Sequence, residues 1–163
     1  MQKAYQVFEH RLYEEFNNRV PMPQEELRGI YKMAKEEAMN LFRSTAVGEV
    51  RDEFLTILKK QMNDKYDTYY LENEKTSEQE CHQFLQRNYN MIAQKLTNDE
   101  YDNIDSLNQE IHGFLDYFYE EGPKGPNSMN IAQMFCYDKM LEGSHFFLEN
   151  AKRNGHMQTQ LAE

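Results

Sequence analysis

Residues 20–50, which read VPMPQEELRGIYKMAKEEAMNLFRSTAVGEV, contain the clearest helical pattern in the chain. Pro23 suits the first turn of a helix, where its missing N–H would have had no partner in any case. Glu25 and Glu26 at the start and Arg43 at the end complement the helix dipole. Apolar residues recur every three or four positions, which is one face of an α-helix: Leu27, Ile30, Tyr31, Ala34, Ala38, Leu41 and Phe42. The stretch predicts an amphipathic helix with well-formed ends.

The flanking segments extend this helical pattern in both directions. Before it, residues 3–19 predict a first helix with one apolar face, formed by Tyr5, Phe8, Leu12 and Phe16. After it, Gly48 predicts a turn. A long third helix is then expected from about Glu49 to Glu72, with an apolar face formed by Val50, Phe54, Ile57, Leu58 and Met62.

Three further helices are predicted in the second half of the chain. Residues 73–76 read as a polar connection, and Ser77 with Glu80 has the form of a capping box. The fourth helix follows, with Cys81, Phe84, Leu85, Ile92 and Leu96 as its apolar residues. A fifth is expected over residues 106–121, where Gly113 suggests a close helix crossing. A sixth runs from about 128 to 150, with the apolar residues Ile131, Met134, Phe135, Met140, Leu141, Phe147 and Leu148.

No segment alternates apolar and polar residues as a strand does, so the predicted fold class is all-α. We expect an elongated helical bundle of about six helices with one long helix and no sheet.

The chain has 163 residues, and its 18 basic and 28 acidic residues give a formal charge of −10. This charge argues against nucleic acid as a partner. No apolar run approaches the roughly 20 residues of a membrane helix, and the N-terminus lacks the features of a signal peptide, so we expect a cytoplasmic protein without direct membrane insertion.

The spacing of the glycines, histidines and cysteines argues against most known nucleotide-binding, catalytic and metal-binding motifs. No glycines have the spacing of a phosphate-binding loop or a dinucleotide fingerprint, and no histidines lie four apart. Glu142 and His145 form a single E-x-x-H, half of a di-iron motif, and no second copy exists. Asn98, Glu100 and Asp102 resemble the start of a calcium loop that lacks its central glycine. Cys81 and His82 are adjacent and so point in different directions on a helix. We therefore predict no catalytic residue, no cofactor and no metal ligand, and we expect Cys81 and Cys136 to be buried thiols.

A series of residues, in order, resembles a known family. Val20–Pro23 forms a short proline turn, and the next helix has the pattern Leu27, Tyr31, Ala34, Glu37, Ala38, Leu41, Phe42. A long helix with an early Phe54 follows, then Tyr101, then Tyr117, Phe118 and Tyr119 before Pro123–Gly125. Over about residues 4–150 this order resembles the helical middle domain, or stalk, of the guanylate-binding proteins, large GTPases related to dynamin and atlastin.

The resemblance implies that residues 1–150 form a helical stalk and that residues 151–163 are a polar tail or the start of a truncated helix. The GTPase head would lie elsewhere in a parent protein, so none of the family's catalytic residues maps onto this chain. The expected partners are that head, the parent's effector helices and a second copy of the chain. The contact surface to test first comprises Tyr66, Tyr69, Tyr70, Tyr117 and Tyr119. Two alternatives stay open at this point: a free-standing helical adaptor, and a metal-carboxylate bundle using Glu142 and His145.

Overall fold

The computed structural model describes residues 2–46, 48 and 51–162, without the side chains of residues 155–162. These residues form five helices: α1 (Gln2–Asn17), α2 (Gln24–Thr45), α3 (Arg51–Thr97), α4 (Ile104–Glu121) and α5 (Ser128–Ala162). No strand occurs in the described part of the chain, and the predicted all-α fold class is confirmed. Val50, which the sequence placed on the apolar face of the third helix, lies outside the described residues.

Helices α1 and α2 pack against each other through the faces that the sequence predicted. In α1 the buried residues are Ala4, Phe8, Leu12 and Phe16, and Tyr5 is half-buried beside them. In α2 they are Leu27, Ile30, Ala34, Ala38, Met39 and Phe42. Pro23 immediately precedes α2, and Gly48 has a φ of +115°, the left-handed region that a turn glycine adopts at little cost. The helix start at Pro23 and the turn at Gly48 are therefore confirmed.

The predicted break between a third and a fourth helix is wrong, because α3 continues from Arg51 to Thr97 without interruption. Asn73 and Ser77 are fully buried in the middle of this helix. The Asn73 Nδ2 donates to the Met22 carbonyl at 2.8 Å, and its Oδ1 accepts from the Met22 N–H at 3.0 Å. The Ser77 hydroxyl donates to the Pro126 carbonyl at 2.8 Å. These residue types, which often cap helices, here bind the backbone of neighbouring loops, so the described residues form five helices instead of about six.

The chain is divided into two compact units. Unit 1 comprises Met1–Gln79 and Lys124–Asn127, and unit 2 comprises Glu80–Pro123 and Ser128–Glu163. The first part of α3 contributes Leu58, Met62 and Tyr69 to the core of unit 1. Phe54 and Ile57, predicted to share that face, are exposed, and Leu58 is the first buried residue of α3. The later part of α3 supplies the core of unit 2 with Cys81, Leu85, Tyr89 and Ile92.

A glycine is required in unit 1 where residues 124–127 pack against α3. A Cβ added at Gly125 would overlap the Ser77 side chain and would lie only 2.8 Å from the Cβ of Pro21. The loop before α2 and the loop before α5 therefore meet beside Ser77. This contact explains why the α4–α5 connection carries a glycine between Pro123 and Pro126.

In unit 2, α4 and α5 pack against each other. The Asn103 side chain caps α4 by accepting a hydrogen bond from the Ser106 N–H at 2.9 Å. The close approach predicted at Gly113 is wrong, since no atom of another element lies within 4 Å of a Cβ built there. Gly143 takes that role instead, because a Cβ at Gly143 would overlap the Leu107 side chain. Helix α5 also continues to Ala162, beyond the predicted end near residue 150.

Candidate interaction surfaces

The residues noted as weak metal-ligand candidates are not brought together. Glu142 and His145 are both exposed, and the Glu142 carboxylate lies 3.3 Å from Lys139 Nζ. Asn98, Glu100 and Asp102 are exposed around the start of α4, while Cys81 is buried and the neighbouring His82 is exposed. Among the described residues, no three His, Cys, Asp or Glu side chains form a group that could hold a metal ion.

Both cysteines are buried thiols in the core of unit 2. Burial raises the pKa of Cys136 to about 11, because an apolar environment disfavours the charged thiolate. At neutral pH this side chain is therefore a poor nucleophile. Cys136 lies on the buried face of α5 with Ala132, so its role in the described structure is packing.

The five tyrosines singled out in the sequence occupy different environments. Tyr69 is buried in unit 1, where its ring meets Phe16 edge-on at 4.7 Å. Tyr117 is exposed and stacks on Phe84, and Tyr119 is half-buried with its hydroxyl accepting from Gln133 at 2.9 Å. Only Tyr66 and Tyr70 lie together on one surface. Sequence spacing could not separate these cases, since it gives the face of a helix and not what covers that face.

Tyr66 and Tyr70 form one wall of a cleft between α2 and α3 in unit 1, which we name the tyrosine cleft. Its volume is about 490 Å³. Across the cleft, Tyr31 of α2 stacks on Tyr66 with ring centroids 4.3 Å apart, and Tyr70 meets Tyr66 at 6.2 Å. Burial, followed by nearby negative charge including that of Asp67, raises the pKa of Tyr31; burial also raises the pKa of Tyr66, against the opposing effect of Arg28. These hydroxyls therefore stay neutral and can donate hydrogen bonds.

Three cations of α2 line the same cleft: Arg28, Lys32 and Lys35. Their spacing of four and three residues places them on one side of the helix. Lys35 Nζ lies 5.7 Å from the centre of the Tyr31 ring, within the range of a cation–π contact. Within the described part of the chain, none of these three cations forms an ion pair. Sequence analysis missed this site, although three cations on one helix face in an acidic chain were a usable signal.

A second surface is the outer face of α5, which carries a row of exposed apolar side chains. We name it the α5 stripe; it consists of Met134, Tyr137, Leu141 and Leu148, each more than half exposed. Met134, Leu141 and Leu148, predicted as apolar residues of the sixth helix, therefore lie outside the core. The physical reason is that the apolar residues of this helix cover two faces, and the core takes the one containing Ala132, Cys136 and Gly143. The spacing of the stripe, three, four and seven residues, is that of a heptad repeat.

A polar cluster joins the end of α3 to α4 within unit 2. Lys95 Nζ lies 3.0 Å from the Glu110 carboxylate. The buried Tyr101 phenol is near enough to this carboxylate to affect its pKa, but its hydroxyl has no hydrogen-bond partner in the described structure. Burial and then Glu110 raise the pKa of Tyr101. Burial alone would raise the pKa of Glu110, but Tyr101 and Lys95 outweigh it and lower that pKa. Tyr101, noted in the sequence before this helix, thus has a structural role.

Comparison with known families supplies the identity of the fold. Within the described residues, no helix combines the length and apolar character needed to cross a bilayer. Comparisons with curated proteins and with solved structures give no match. A family model described as guanylate-binding protein, C-terminal domain, matches residues 1–153. That match spans nearly the whole chain and confirms the resemblance drawn from residues 4–150. The chain therefore belongs to the guanylate-binding protein family, of which it is the C-terminal helical domain.

Proposed function

We propose that this chain is a non-catalytic helical stalk of a guanylate-binding-type large GTPase, with two tasks. It relays nucleotide-driven changes from a GTPase head, and it supplies helix surfaces for self-assembly. Family membership supports the link to a GTPase. The observation that carries the assembly task is the α5 stripe, an apolar surface with heptad spacing that the described part of the chain leaves exposed.

The relay task is supported by the continuity of α3. This single helix contributes core residues to both compact units, Leu58 and Met62 to one and Leu85 and Ile92 to the other. Because the backbone hydrogen bonds of this helix continue from one core to the other, the helix offers a path by which a displacement of one core can reach the other. Replacing the exposed Glu74 and Lys75 by two glycines in the GTPase that carries this domain should reduce the nucleotide-dependent response, measured by energy transfer between labels on the two units. An unchanged response would count against the relay.

Self-assembly is tested by sedimentation equilibrium of the purified chain over a range of concentrations. We expect the wild-type chain to associate and Leu141→Lys to remain monomeric, because the lysine places a charge in the centre of the α5 stripe. Met91→Lys is the matched control, since Met91 is the most exposed large apolar residue among the described side chains of unit 2 and lies on α3, outside the stripe. A wild-type chain that stays monomeric at every concentration would overturn this proposal. Equal effects of the two substitutions would also do so.

The non-catalytic part of the proposal is tested with guanine nucleotides. We expect the purified chain neither to bind nor to hydrolyse GTP, because no glycine spacing in the sequence forms a phosphate-binding loop. Isothermal titration with GTP and magnesium, followed by a phosphate-release assay, measures both quantities. Hydrolysis that co-purifies with the chain would contradict the assignment.

A further inference from the structure

The tyrosine cleft of unit 1 combines a cationic side with an aromatic side. Arg28, Lys32 and Lys35 form its cationic side, spread over about 10 Å of helix at about 1.5 Å per residue. Tyr31, Tyr66 and Tyr70 form its aromatic side. The cleft is independent of the α5 stripe, which lies on a helix of unit 2.

The cationic side is notable because the whole chain carries a formal charge of −10. Glu25 also lines the cleft, and Asp67 is close enough to affect Tyr31 and Tyr66, so carboxylates are present nearby. Neither carboxylate forms an ion pair with the three cations. Arg28 and Lys32 are exposed, and Lys35 is half-buried over the Tyr31 ring. These charges are therefore available to an external anionic group.

The arrangement of the cations indicates the kind of ligand. A single phosphate or carboxylate would need donors that converge on one point, whereas these three follow the axis of α2 with a spacing of four and three residues. A second helix with carboxylates at the same spacing would present one anion to each cation. The tyrosine rings offer apolar faces to the aliphatic side chains of such a helix, and their neutral hydroxyls can donate to its carboxylates.

We propose that the tyrosine cleft binds an acidic helical segment of a partner protein, with carboxylates repeating at i, i+4 and i+7. Charge complementarity within an otherwise acidic chain specifies this occupant. A membrane surface fits less well, because the site is a concave cleft walled by tyrosines and the net charge of the chain repels anionic lipid.

The test is fluorescence anisotropy with a labelled alanine-based peptide of about 15 residues, long enough to hold some helix, with glutamates at i, i+4 and i+7 and one leucine between them. The control peptide has glutamine in place of each glutamate. The cleft variant is Arg28→Gln with Lys32→Gln and Lys35→Gln. The matched variant is Arg87→Gln with Lys3→Gln and Lys75→Gln, which removes the same charge from exposed positions outside the cleft. Circular dichroism checks that both variants stay helical.

We expect the wild-type chain and the matched variant to bind the glutamate peptide equally, and the cleft variant to bind at least about tenfold more weakly. The affinity should fall as salt is added, because the contacts are between exposed charges. Equal affinity in the cleft variant, equal binding of the glutamine peptide, or no binding by the wild-type chain would each overturn the proposal. Salt-sensitive binding to phosphatidylserine vesicles that the cleft variant loses, without peptide binding, would assign the cations to a membrane surface and also overturn it.

Discussion

The two compact units use their apolar residues in different ways. In unit 1, α1 and α2 each have one apolar face, and the central residues of both faces, such as Phe8 and Ala34, are buried. In unit 2, α5 has two apolar faces, one in the core around Cys136 and one exposed along the α5 stripe. A helix such as α5, which has more apolar surface than its own core covers, is therefore the place to look for a partner surface.

The units also differ in what α3 provides. Its buried residues in unit 2, Cys81, Leu85, Tyr89 and Ile92, are all apolar or aromatic. In unit 1 it adds two buried polar side chains, Asn73 and Ser77, that bind loop backbone. Along α3, unit 1 is therefore stabilised in part by specific hydrogen bonds, whereas unit 2 is stabilised by apolar packing. This contrast predicts that substitutions in the two units change stability by different amounts.

Replacing Asn73 by alanine should have the largest effect on stability. The substitution leaves the Met22 N–H and carbonyl without their partner in a buried position, and each unsatisfied group costs about 1–3 kcal/mol. We expect the free energy of unfolding to fall by about 2–4 kcal/mol, measured by urea denaturation followed by circular dichroism.

Asn88→Ala in unit 2 is the matched control. Asn88 lies on the same helix, but its side chain donates only to the Phe84 carbonyl one turn earlier, at 2.8 Å. We expect this substitution to change stability by about 0.5 kcal/mol or less. If the free energy of unfolding fell by the same small amount in both variants, the result would contradict the contrast between the two parts of α3.

Gly125→Ala tests the place where two loops meet beside Ser77. The added methyl group overlaps Ser77 and crowds Pro21, so we expect a loss of about 1–3 kcal/mol from overpacking. Gly113→Ala in α4 is the comparison, because its Cβ would enter open space and alanine favours a helix by about 1 kcal/mol. Thermal melts of both variants measure these two changes in stability. A destabilised Gly113→Ala with an unaffected Gly125→Ala would reverse the expected order.

Glu110→Gln should have the smallest effect, and it should depend on pH. Because interactions in the folded state lower the Glu110 pKa below its ordinary value of 4.5, the carboxylate stabilises the fold above that pH. The contribution is lost as the pH falls through the lower pKa of the folded state. Glu110 is about a third exposed, so we expect less than about 1 kcal/mol at neutral pH and no difference from wild type in strong acid.

The control for this pH dependence is Glu120→Gln. Glu120 is exposed on the same helix, α4, and has no ion-pair partner among the described residues. Urea titrations at several pH values should show a pH-dependent loss for Glu110→Gln only. A difference between Glu110→Gln and wild type that persists unchanged into strong acid would show that the carboxylate charge is not its source.

Much of the fold could be predicted from the sequence because periodicity and end signals are local. The apolar face of α2, its start at Pro23 and the turn at Gly48 depend on residues within a few positions of one another. Asn73 and Ser77 were misread for the same reason. A serine followed by Glu80 looks like a helix start locally, and only the distant Pro126 carbonyl shows that it is not.

The candidate surfaces were less predictable, since exposure depends on how helices pack. The sequence identified Met134, Leu141 and Leu148 as apolar but could not show which face of α5 the core takes. It identified Tyr66 and Tyr70 as a surface to test, but the pairing of Tyr66 with Tyr31 is a contact between residues far apart in the chain. The family resemblance, which depends on the order of motifs along the chain, was within reach of the sequence.

The unbroken course of α3 through both units is the central claim, because the relay task depends on it. Hydrogen exchange of the purified chain, read at the backbone amides of residues 72–79, tests this claim directly. An intact helix predicts protection there comparable with that around the buried Leu58 and Leu85 on either side. Fast exchange at residues 73–76, with protection on both sides, would show two helices with a polar connection and would contradict the account.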